Sequence, residues 1–269
     1  MLDEVERRGL VLIGCGKMGS ALLAGWLGQG LPPASVWVRD PQPSDWLMQA
    51  GVHLNEGLPP DPALVLVAVK PQVMAEALPG FASLGGGATL FLTVAAGISI
   101  ATYESLLGSA TPLVRAMPNT PAAVGRGITA ICANRVATES HLALAEALLG
   151  AVGAVVRLEA EHQMDAVTGV SGSGPAYVFH LIEALAAAGE AEGLPAALAM
   201  QLARATVAGA GELAHRSPET ASALRIAVTS PGGTTAAALA VLMDPDAGFP
   251  SLLRRAVKAA ADRGRELGR

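Results

Sequence analysis

Aromatic residues are scarce in this 269-residue chain, at 3%, and charged residues make up only 15%. Apolar residues nevertheless account for 51%, which excludes a disordered, solvated polymer. Alanine and glycine supply most of the apolar excess, so we expect many closely packed helices of small residues. The net charge is −5 and there is no basic block, which argues against a protein that binds nucleic acid through the phosphates.

Cysteine is also rare. Cys15 and Cys132 share no metal-binding spacing, and two thiols cannot build a disulfide framework. None of the five histidines has a partner at the spacing of a metal site. Residues 1–8 carry acids and lack the apolar core of a secretory signal. We therefore expect reduced thiols, a cytoplasmic location and no metal.

One long segment, residues 77–103, carries no charge. A membrane helix needs about 20 consecutive apolar residues. Pro79 and five glycines, at positions 80, 85, 86, 87 and 97, break the segment into strands and turns. We predict no membrane span.

The first 160 residues alternate short apolar runs with amphipathic stretches, a pattern that predicts a doubly wound α/β sheet. From about residue 161 the strand-like runs disappear and alanine-rich helical periodicity takes over. We therefore predict a Rossmann-like domain over residues 1–160 and an all-helical domain over residues 161–269. The predicted strands are residues 10–13, 36–38, 64–69, 89–94, 113–115, 128–131 and 154–158.

A complete G-x-G-x-x-G pattern follows the first predicted strand and opens an amphipathic helix. Gly14 permits a tight turn, Gly16 lets a pyrophosphate approach the backbone, and Gly19 lets helix and strand pack closely. The N-terminus of the helix offers free N–H groups and a partial positive charge to phosphates. We predict dinucleotide binding by the loop Gly14, Cys15, Gly16, Lys17, Met18 and Gly19.

Two neighbouring residues at the end of the second strand favour different coenzymes. Asp40 has the spacing of an acid that binds the ribose 2′-hydroxyl of NAD. Arg39 could instead pair with the 2′-phosphate of NADP. We expect a modest preference for NADPH, with Arg39 on the phosphate and Asp40 turned to solvent, and NAD stays possible.

Several segments together resemble the pyrroline-5-carboxylate reductase family, and they occur in order from the first strand to about residue 243. They include A-V-K-P-Q at residues 68–72, A-A-G at 95–97 and R-A-M-P-N-T-P at 115–121. The helical half begins with D-A-V-T-G-V-S-G-S-G-P-A-Y at residues 165–177 and carries S-P-G-G-T-T at 230–235.

The resemblance implies reduction of a cyclic imine, 1-pyrroline-5-carboxylate, to L-proline by hydride transfer from NAD(P)H, as the last step of proline biosynthesis. It implies a coenzyme site in which the glycine loop is joined by loops at the carboxyl ends of the strands, where α/β sheets bind ligands. The further coenzyme residues are then Ile13, Asn55, Ala68, Val69, Lys70, Pro71, Ala95, Ala96 and Gly97.

A small imine with a carboxylate needs an anion site and a group near its nitrogen. Two glycines and two hydroxyl residues before an alanine-rich helix predict such an anion site, at Ser230, Gly232, Gly233, Thr234 and Thr235. The resemblance nominates Thr168 to orient the imine nitrogen or donate to it, although this threonine could equally stabilise a helix turn. Glu161 could add a polar substrate contact.

Two other functions are consistent with a Rossmann domain followed by helices. The β-hydroxyacid dehydrogenases resemble one another in carrying a catalytic lysine early in the second domain. This chain has no lysine between Lys70 and Lys258. A non-catalytic NAD(P)-binding sensor would not need the loop at residues 230–235.

Because alanine-rich helices bury little area each, one chain would have a thin helical core, and the resemblance points to an interlocked homodimer, alone or assembled further.

Overall fold

The computed structural model describes residues 2–268, and its first compact unit contains one eight-stranded sheet. The strand order is β3-β2-β1-β4-β5-β6-β7-β8; β6 and β7 are antiparallel, and every other neighbouring pair is parallel. The predicted α/β fold is confirmed. The strands are β1 Leu10–Ile13, β2 Val36–Arg39, β3 His53–Leu54, β4 Leu64–Val67, β5 Leu90–Thr93, β6 Leu113–Met117, β7 Gly127–Ala133 and β8 Gly153–Arg157.

Strand β3 is the one strand for which no run was predicted. It contains only two residues, and both are half-buried at the edge of the sheet. Trp37 on β2 stacks on His53, with the ring centroids 4.5 Å apart. So short a strand is defined by its pairing with β2 and not by an apolar run of its own.

Both faces of the sheet are buried because alternate residues of each strand point to opposite sides. On β1, Leu10 and Leu12 pack in one apolar cluster while Val11 and Ile13 pack in the other. The first cluster includes Trp26, whose indole nitrogen donates to the carbonyl oxygen of Leu148 at 2.8 Å. The helices of this unit are α1 Leu2–Arg8, α2 Lys17–Gly28, α3 Asp45–Gln49, α4 Met74–Ala77, α5 Ile100–Leu107, α6 Glu139–Leu149 and α7 Met164–Val167.

The second compact unit, Ser173–Ala259, is helical, as predicted for this half of the chain. Its buried cluster consists of only three alanines, Ala186, Ala199 and Ala203. Large apolar side chains such as Phe179 and Leu213 are exposed instead, by 60% and 56%. The helices are α8 Gly174–Ala191, α9 Ala196–Arg216, α10 Ala221–Ala227, α11 Thr234–Leu242 and α12 Phe249–Leu267.

The contacts divide the chain between Gly172 and Ser173, later than the predicted boundary at residue 160. The first unit comprises the described parts of Met1–Gly172 and Ala260–Arg269. Residues 161–172 belong to it because Glu161 bonds to α5 and β6, while Met164 is buried. The end of α12 belongs to it as well, since Gly264 lies against the Asp165 carboxylate.

Candidate functional site

The loop between β1 and α2 has the geometry of a phosphate-binding turn. Gly14 has φ +83°, and its N–H donates to the carbonyl oxygen of Arg39 at 2.8 Å. A Cβ on Gly19 would lie 2.6 Å from the oxygen of Gly14, so only glycine lets α2 start this close to β1. A Cβ on Gly16 would meet nothing within 4 Å, and Gly16 caps α2 without a side-chain hydrogen bond. The backbone at Gly16 is therefore open to a ligand at a positive helix end.

Asp40 corrects one detail of the sequence prediction, because its carboxylate is not simply turned to solvent. One oxygen accepts from the N–H of Cys15 at 2.7 Å, and the other accepts from the N–H of Gln42 at 2.8 Å. An acid immediately after β2 reaches the glycine loop because β1 and β2 are neighbouring parallel strands. Asp40 thus helps to set the shape of the glycine loop instead of pointing only to solvent.

Asn55 reaches this region through Asp40. Its side-chain nitrogen donates to the carbonyl oxygen of Asp40 at 2.8 Å, and its side-chain oxygen accepts from the N–H of Asp40 at 3.0 Å. Asn55 itself has φ +55°, a left-handed conformation that asparagine tolerates better than most residues. These contacts place Asn55, a predicted coenzyme residue, beside the end of β2. Both polar atoms of its side-chain amide bond to the backbone of Asp40.

The loops after β4 and β5 lie at the same edge of the sheet as the glycine loop. The N–H of Ala68 donates to the carbonyl oxygen of Ile13 at 2.8 Å, and a Cβ on Gly14 would lie 2.8 Å from Val69. Lys70 is exposed and precedes the 3-10 segment Pro71–Val73. The structure therefore brings together the predicted coenzyme loops at the point where the strand order reverses, between β1 and β4.

The predicted coenzyme loop after β5, residues 95–97, turns sharply at Gly97. Gly97 has φ +81° and is buried, and Ala95 is buried beside it. A Cβ on Gly97 would lie 3.3 Å from the Cβ of Leu267, so the last turn of α12 covers this glycine. No signal in the sequence indicated this contact, because 170 residues separate the two positions.

Glu161 forms a bridge between three segments of the first unit. Its Oε1 accepts from the backbone N–H of Ile100 at 2.8 Å and from Nη1 of Arg115 at 2.6 Å. The Arg115 side chain is 9% exposed, and that of Glu161 is 32% exposed. These contacts hold α5 and β6 to the segment before α7, which makes Glu161 a structural bridge in addition to its predicted substrate role. A buried arginine inside an apolar strand was the available sequence signal for this pair.

Thr168 is half-buried, and its hydroxyl donates to the carbonyl oxygen of Met164 at 2.9 Å. It begins the single π-helical turn Thr168–Gly172, a conformation found often at functional sites. Because the proton of the hydroxyl is used within the helix, its oxygen remains able to accept a hydrogen bond. The helix-turn role is therefore compatible with orienting the imine nitrogen by accepting its N–H, and not with donating to it while the bond to Met164 is made.

Two segments of the family resemblance pack on each other in the first unit. The side-chain nitrogen of Asn119 donates to the carbonyl oxygen of Ser171 at 3.2 Å, while its side-chain oxygen accepts from the N–H of Ile128 at 3.0 Å. A Cβ on Gly172 would lie 2.5 Å from the Cε of Met117. Asn119 and Gly172 thus fix the π-helical turn against the end of β6.

The predicted anion loop lies in the second unit and leads into α11. Gly232 has φ +70°, and Gly233 caps the helix with no side-chain hydrogen bond. Thr234 and Thr235 are the first two helical residues, so their N–H groups have no intrahelical acceptor. Ser230 is exposed and Thr235 is half-buried. The loop therefore presents free donors and hydroxyls at a positive helix end, as an anion site requires.

Across residues 2–268, none of the helices combines the length and the hydropathy needed to cross a membrane. In that same range, the structure forms no cluster of three or more His, Cys, Asp or Glu side chains that could hold a metal ion.

Comparison with known proteins gives consistent results for both halves of the chain. Residues 161–267 match the family model described as pyrroline-5-carboxylate reductase dimerisation, and residues 9–96 match that of NADP oxidoreductase, coenzyme F420-dependent. The pyrroline-5-carboxylate reductase of Synechocystis is 43% identical, over 97% of this chain and 98% of its own length. That of Mycobacterium tuberculosis is 41% identical, over 96% of each chain.

Solved structures of the same name have the same fold. A pyrroline-5-carboxylate reductase from Coxiella burnetii superposes with a TM-score of 0.91 at 33% identity, covering 97% of this chain and 99% of its own. The pyrroline carboxylate reductase of Plasmodium falciparum, solved with NADP bound, superposes with a TM-score of 0.84 at 28% identity and covers 98% and 99% of the two chains.

Proposed function

The chain belongs to the pyrroline-5-carboxylate reductase family, and from this premise we propose that it reduces 1-pyrroline-5-carboxylate to L-proline with a hydride from NAD(P)H, as the last step of proline biosynthesis. The observation that carries the proposal is that the likeness covers nearly the whole chain, and so includes both the glycine loop and the loop before α11. The protein is on this basis an NAD(P)H-dependent oxidoreductase.

The residues of the glycine loop fit a dinucleotide. The open backbone at Gly16 and the uncapped start of α2 receive the pyrophosphate, and the exposed Lys17 and Lys70 add positive charge beside it. Ala95, Ala96 and Gly97, in the loop that follows β5, would hold the nicotinamide end. When bound, the coenzyme supplies the hydride, so the chain itself needs no redox group.

The loop before α11 receives the carboxylate of the imine acid. The N–H groups of Thr234 and Thr235 have no helical acceptor, and the Thr235 hydroxyl adds a further donor. Charge-assisted hydrogen bonds of this kind are about twice as strong as neutral ones. They orient the ring, which is the main requirement of the reaction because a protonated imine is already electrophilic.

Thr168 acts at the nitrogen of the imine. Since its hydroxyl donates to Met164, its oxygen accepts the N–H of the protonated imine and favours the charged form. This is an orienting contact, because a threonine hydroxyl is too weak an acid to drive the reduction.

The test of the function is an assay of the purified protein with 1-pyrroline-5-carboxylate and NADPH, followed by loss of absorbance of the reduced coenzyme and by formation of proline. Stoichiometric formation of proline is expected. A protein that binds NADPH but produces no proline would be a sensor, and one that oxidises a hydroxy acid faster would be a dehydrogenase of the rival class.

NADPH is the proposed preferred coenzyme. Arg39 ends β2 with a half-exposed side chain, while the Asp40 carboxylate is occupied by Cys15 and Gln42. Replacement of Arg39 by Ala should therefore weaken NADPH far more than NADH. Higher catalytic efficiency of the wild-type protein with NADH would identify Asp40 as the residue that selects the coenzyme.

We also propose an obligate homodimer, alone or assembled further, in which the helical units interlock. The match to a dimerisation family and the exposed apolar side chains of the second unit support it. A cytoplasmic location is proposed because both cysteines are free, buried thiols, which a reducing compartment preserves.

A further inference from the structure

A pair of hydroxyls lies directly behind the coenzyme loop after β5. Thr93 is the last residue of β5, and Tyr103 lies on α5, which follows the loop. Their hydroxyl oxygens are 2.5 Å apart, and both residues are 0% exposed. The hydrogen bond therefore joins the strand before the loop to the helix after it and closes the chain into a ring around residues 94–102.

The pair also reaches the loop itself. The backbone N–H of Ala95 is directed at the hydroxyl oxygen of Thr93 at 3.4 Å, so Thr93 accepts from the first residue of the A-A-G turn. The phenol is the stronger acid of the two hydroxyls, which favours Tyr103 as the donor to Thr93. Removing the Tyr103 hydroxyl would leave Thr93 without its partner on α5, and removing the Thr93 hydroxyl would also leave the Ala95 N–H without this acceptor.

The phenol stays neutral at physiological pH. Burial raises the pKa of Tyr103 to about 12, against the smaller opposing effects of the Thr93 hydrogen bond and the Arg115 charge. The tyrosine therefore serves as a constant hydrogen-bond donor. Proton exchange with the imine is not required of it.

The far end of the loop is held independently. The carboxylate of Glu161 accepts from the N–H of Ile100, the first residue of α5, and Leu267 covers Gly97. Among these contacts, only the hydroxyl pair joins both ends of the loop, and it does so with groups whose removal changes neither charge nor backbone.

We propose that the Thr93–Tyr103 hydroxyl pair positions the loop Ala95–Gly97 for the nicotinamide end of the coenzyme, so that both are positioning residues for hydride transfer. The inference rests on the proposed function only for the identity of the hydride acceptor. It predicts that loss of the pair affects the coenzyme and the turnover rate while leaving the substrate carboxylate site intact.

A purely structural hydroxyl pair would give a different result, and β5 offers a matched control. Thr89 immediately precedes β5 at the opposite end of the strand, is also buried, and donates from its hydroxyl to the carbonyl oxygen of Pro62 at 2.7 Å. Thr89→Val and Thr93→Val each remove one buried hydroxyl, the first just before β5 and the second at its last residue. Only the second change lies at the coenzyme edge of the sheet.

The experiment compares the wild-type protein with Tyr103→Phe, Thr93→Val, Thr93→Ser, Thr89→Val and the double variant Tyr103→Phe/Thr93→Val. The measurements are the NADPH dissociation constant by fluorescence titration, kcat, both KM values and Tm. Tyr103→Phe and Thr93→Val should each weaken NADPH binding or lower kcat about three- to tenfold, the range expected for one net hydrogen bond, with KM for the imine unchanged. Thr93→Ser should retain wild-type values, and the double variant should lose no more than the worse single variant.

Thr89→Val should lower Tm about as much as Thr93→Val and leave NADPH binding and kcat unchanged. Equal kinetic behaviour of Thr89→Val and Thr93→Val, or additive losses in the double variant, would overturn the proposal. Tyr103→Phe keeps the packing of the ring and gives a result even where Thr93→Val does not fold. If the wild-type protein fails to reduce the imine, the proposed function fails, while the NADPH titration still decides the role of the pair.

Discussion

Gly16 and Gly19 of the loop between β1 and α2 meet different physical requirements, which substitutions can separate. At Gly19 the requirement belongs to the fold, since a Cβ would lie 2.6 Å from a backbone oxygen. At Gly16 the protein itself leaves open space, and the backbone angles, φ −69° and ψ −161°, suit any residue. The need for glycine at position 16 therefore arises only when a ligand approaches the backbone.

Gly19→Ala should lower the free energy of unfolding by about 1–3 kcal/mol, the usual cost of overpacking. Gly16→Ala should leave stability unchanged but weaken NADPH binding by about tenfold or more, or about 1.4 kcal/mol. Urea denaturation and NADPH titration measure the two effects. Gly28→Ala, which also meets nothing within 4 Å, is the control and should bind NADPH normally. Normal NADPH binding by Gly16→Ala would contradict the proposal that the pyrophosphate binds at this loop.

Two buried thiols and one buried phenol of the first unit make the stability of the protein sensitive to alkaline pH. Burial, with a smaller effect of the Asp40 charge, raises the pKa of Cys15 to about 12. Burial, assisted by Glu161 and opposed by Arg115, raises the pKa of Cys132 to about 11, and burial raises that of Tyr103 to about 12. In an unfolded chain thiols ionise near pH 8.5 and phenols near pH 10, roughly.

Below about pH 7.5 all three groups are protonated in both states, so stability should not depend on them. Above that pH the folded state binds more protons than the unfolded state, and the free energy of unfolding must fall until the folded pKa values near 11 and 12 are passed. Urea unfolding between about pH 7.5 and about pH 10.5, where thiols of the unfolded chain ionise, measures the slope of the free energy of unfolding against pH. Cys132→Ala should flatten it, and an unchanged slope would contradict the assignment.

At the scale of elements, two helices of the second unit begin with threonine for different reasons. Thr220 caps α10, and its hydroxyl accepts from the N–H of Ala223 at 3.1 Å. At α11 the capping residue is Gly233, which offers no side chain, and Thr235 lies inside the first turn. The N-terminus of α10 is capped by its own side chain, and that of α11 is left without a side-chain cap, which suits the proposed anion site.

Thr235→Ala should raise KM for the imine acid about three- to tenfold through loss of one hydrogen bond, with little change in NADPH affinity or stability. Thr220→Ala is the matched control and should cost about 1 kcal/mol of stability as a lost helix cap, with KM unchanged. Steady-state kinetics and thermal unfolding distinguish them. A loss confined to NADPH in Thr235→Ala would place the carboxylate elsewhere.

At the scale of the whole molecule, the distribution of apolar surface supports the proposed homodimer. The second unit buries three alanines as its core, and each removes little area from water. Its exposed apolar residues include Phe179, Leu185, Leu202 and Leu213. A monomer with this surface would have little net stability, and the proposed homodimer would bury the surface against a second copy.

Phe179→Glu should therefore shift the protein from dimer to monomer and reduce both helical signal and activity. Val124→Glu, which places the same charge at a site 76% exposed in the first unit, should have no effect on assembly. Sedimentation velocity and circular dichroism at micromolar concentration measure the outcome. A folded, fully active monomer of about 27 kDa, observed for either variant, would contradict the dimer proposal.

Local patterns in the sequence were sufficient for the order of elements and for the coenzyme loop. Apolar runs such as residues 64–69 predicted β4, and G-x-G-x-x-G predicted the turn at Gly14, because strand burial and tight turns depend on near neighbours in the chain. The two-residue β3 gave no such signal, since it exists only through its pairing with β2.

Only the tertiary structure decided which polar groups meet. Asp40 on Cys15 and Glu161 on Arg115 join residues that are 25 and 46 positions apart. The apolar contact of Leu267 with Gly97 joins residues that are 170 positions apart. Tyr103 and Thr93 are closer in sequence, yet their contact depends on how α5 packs on the sheet. Hydrogen bonds act over about 3 Å, so these partners are defined by the packing of the whole unit and not by the spacing of residues along the chain.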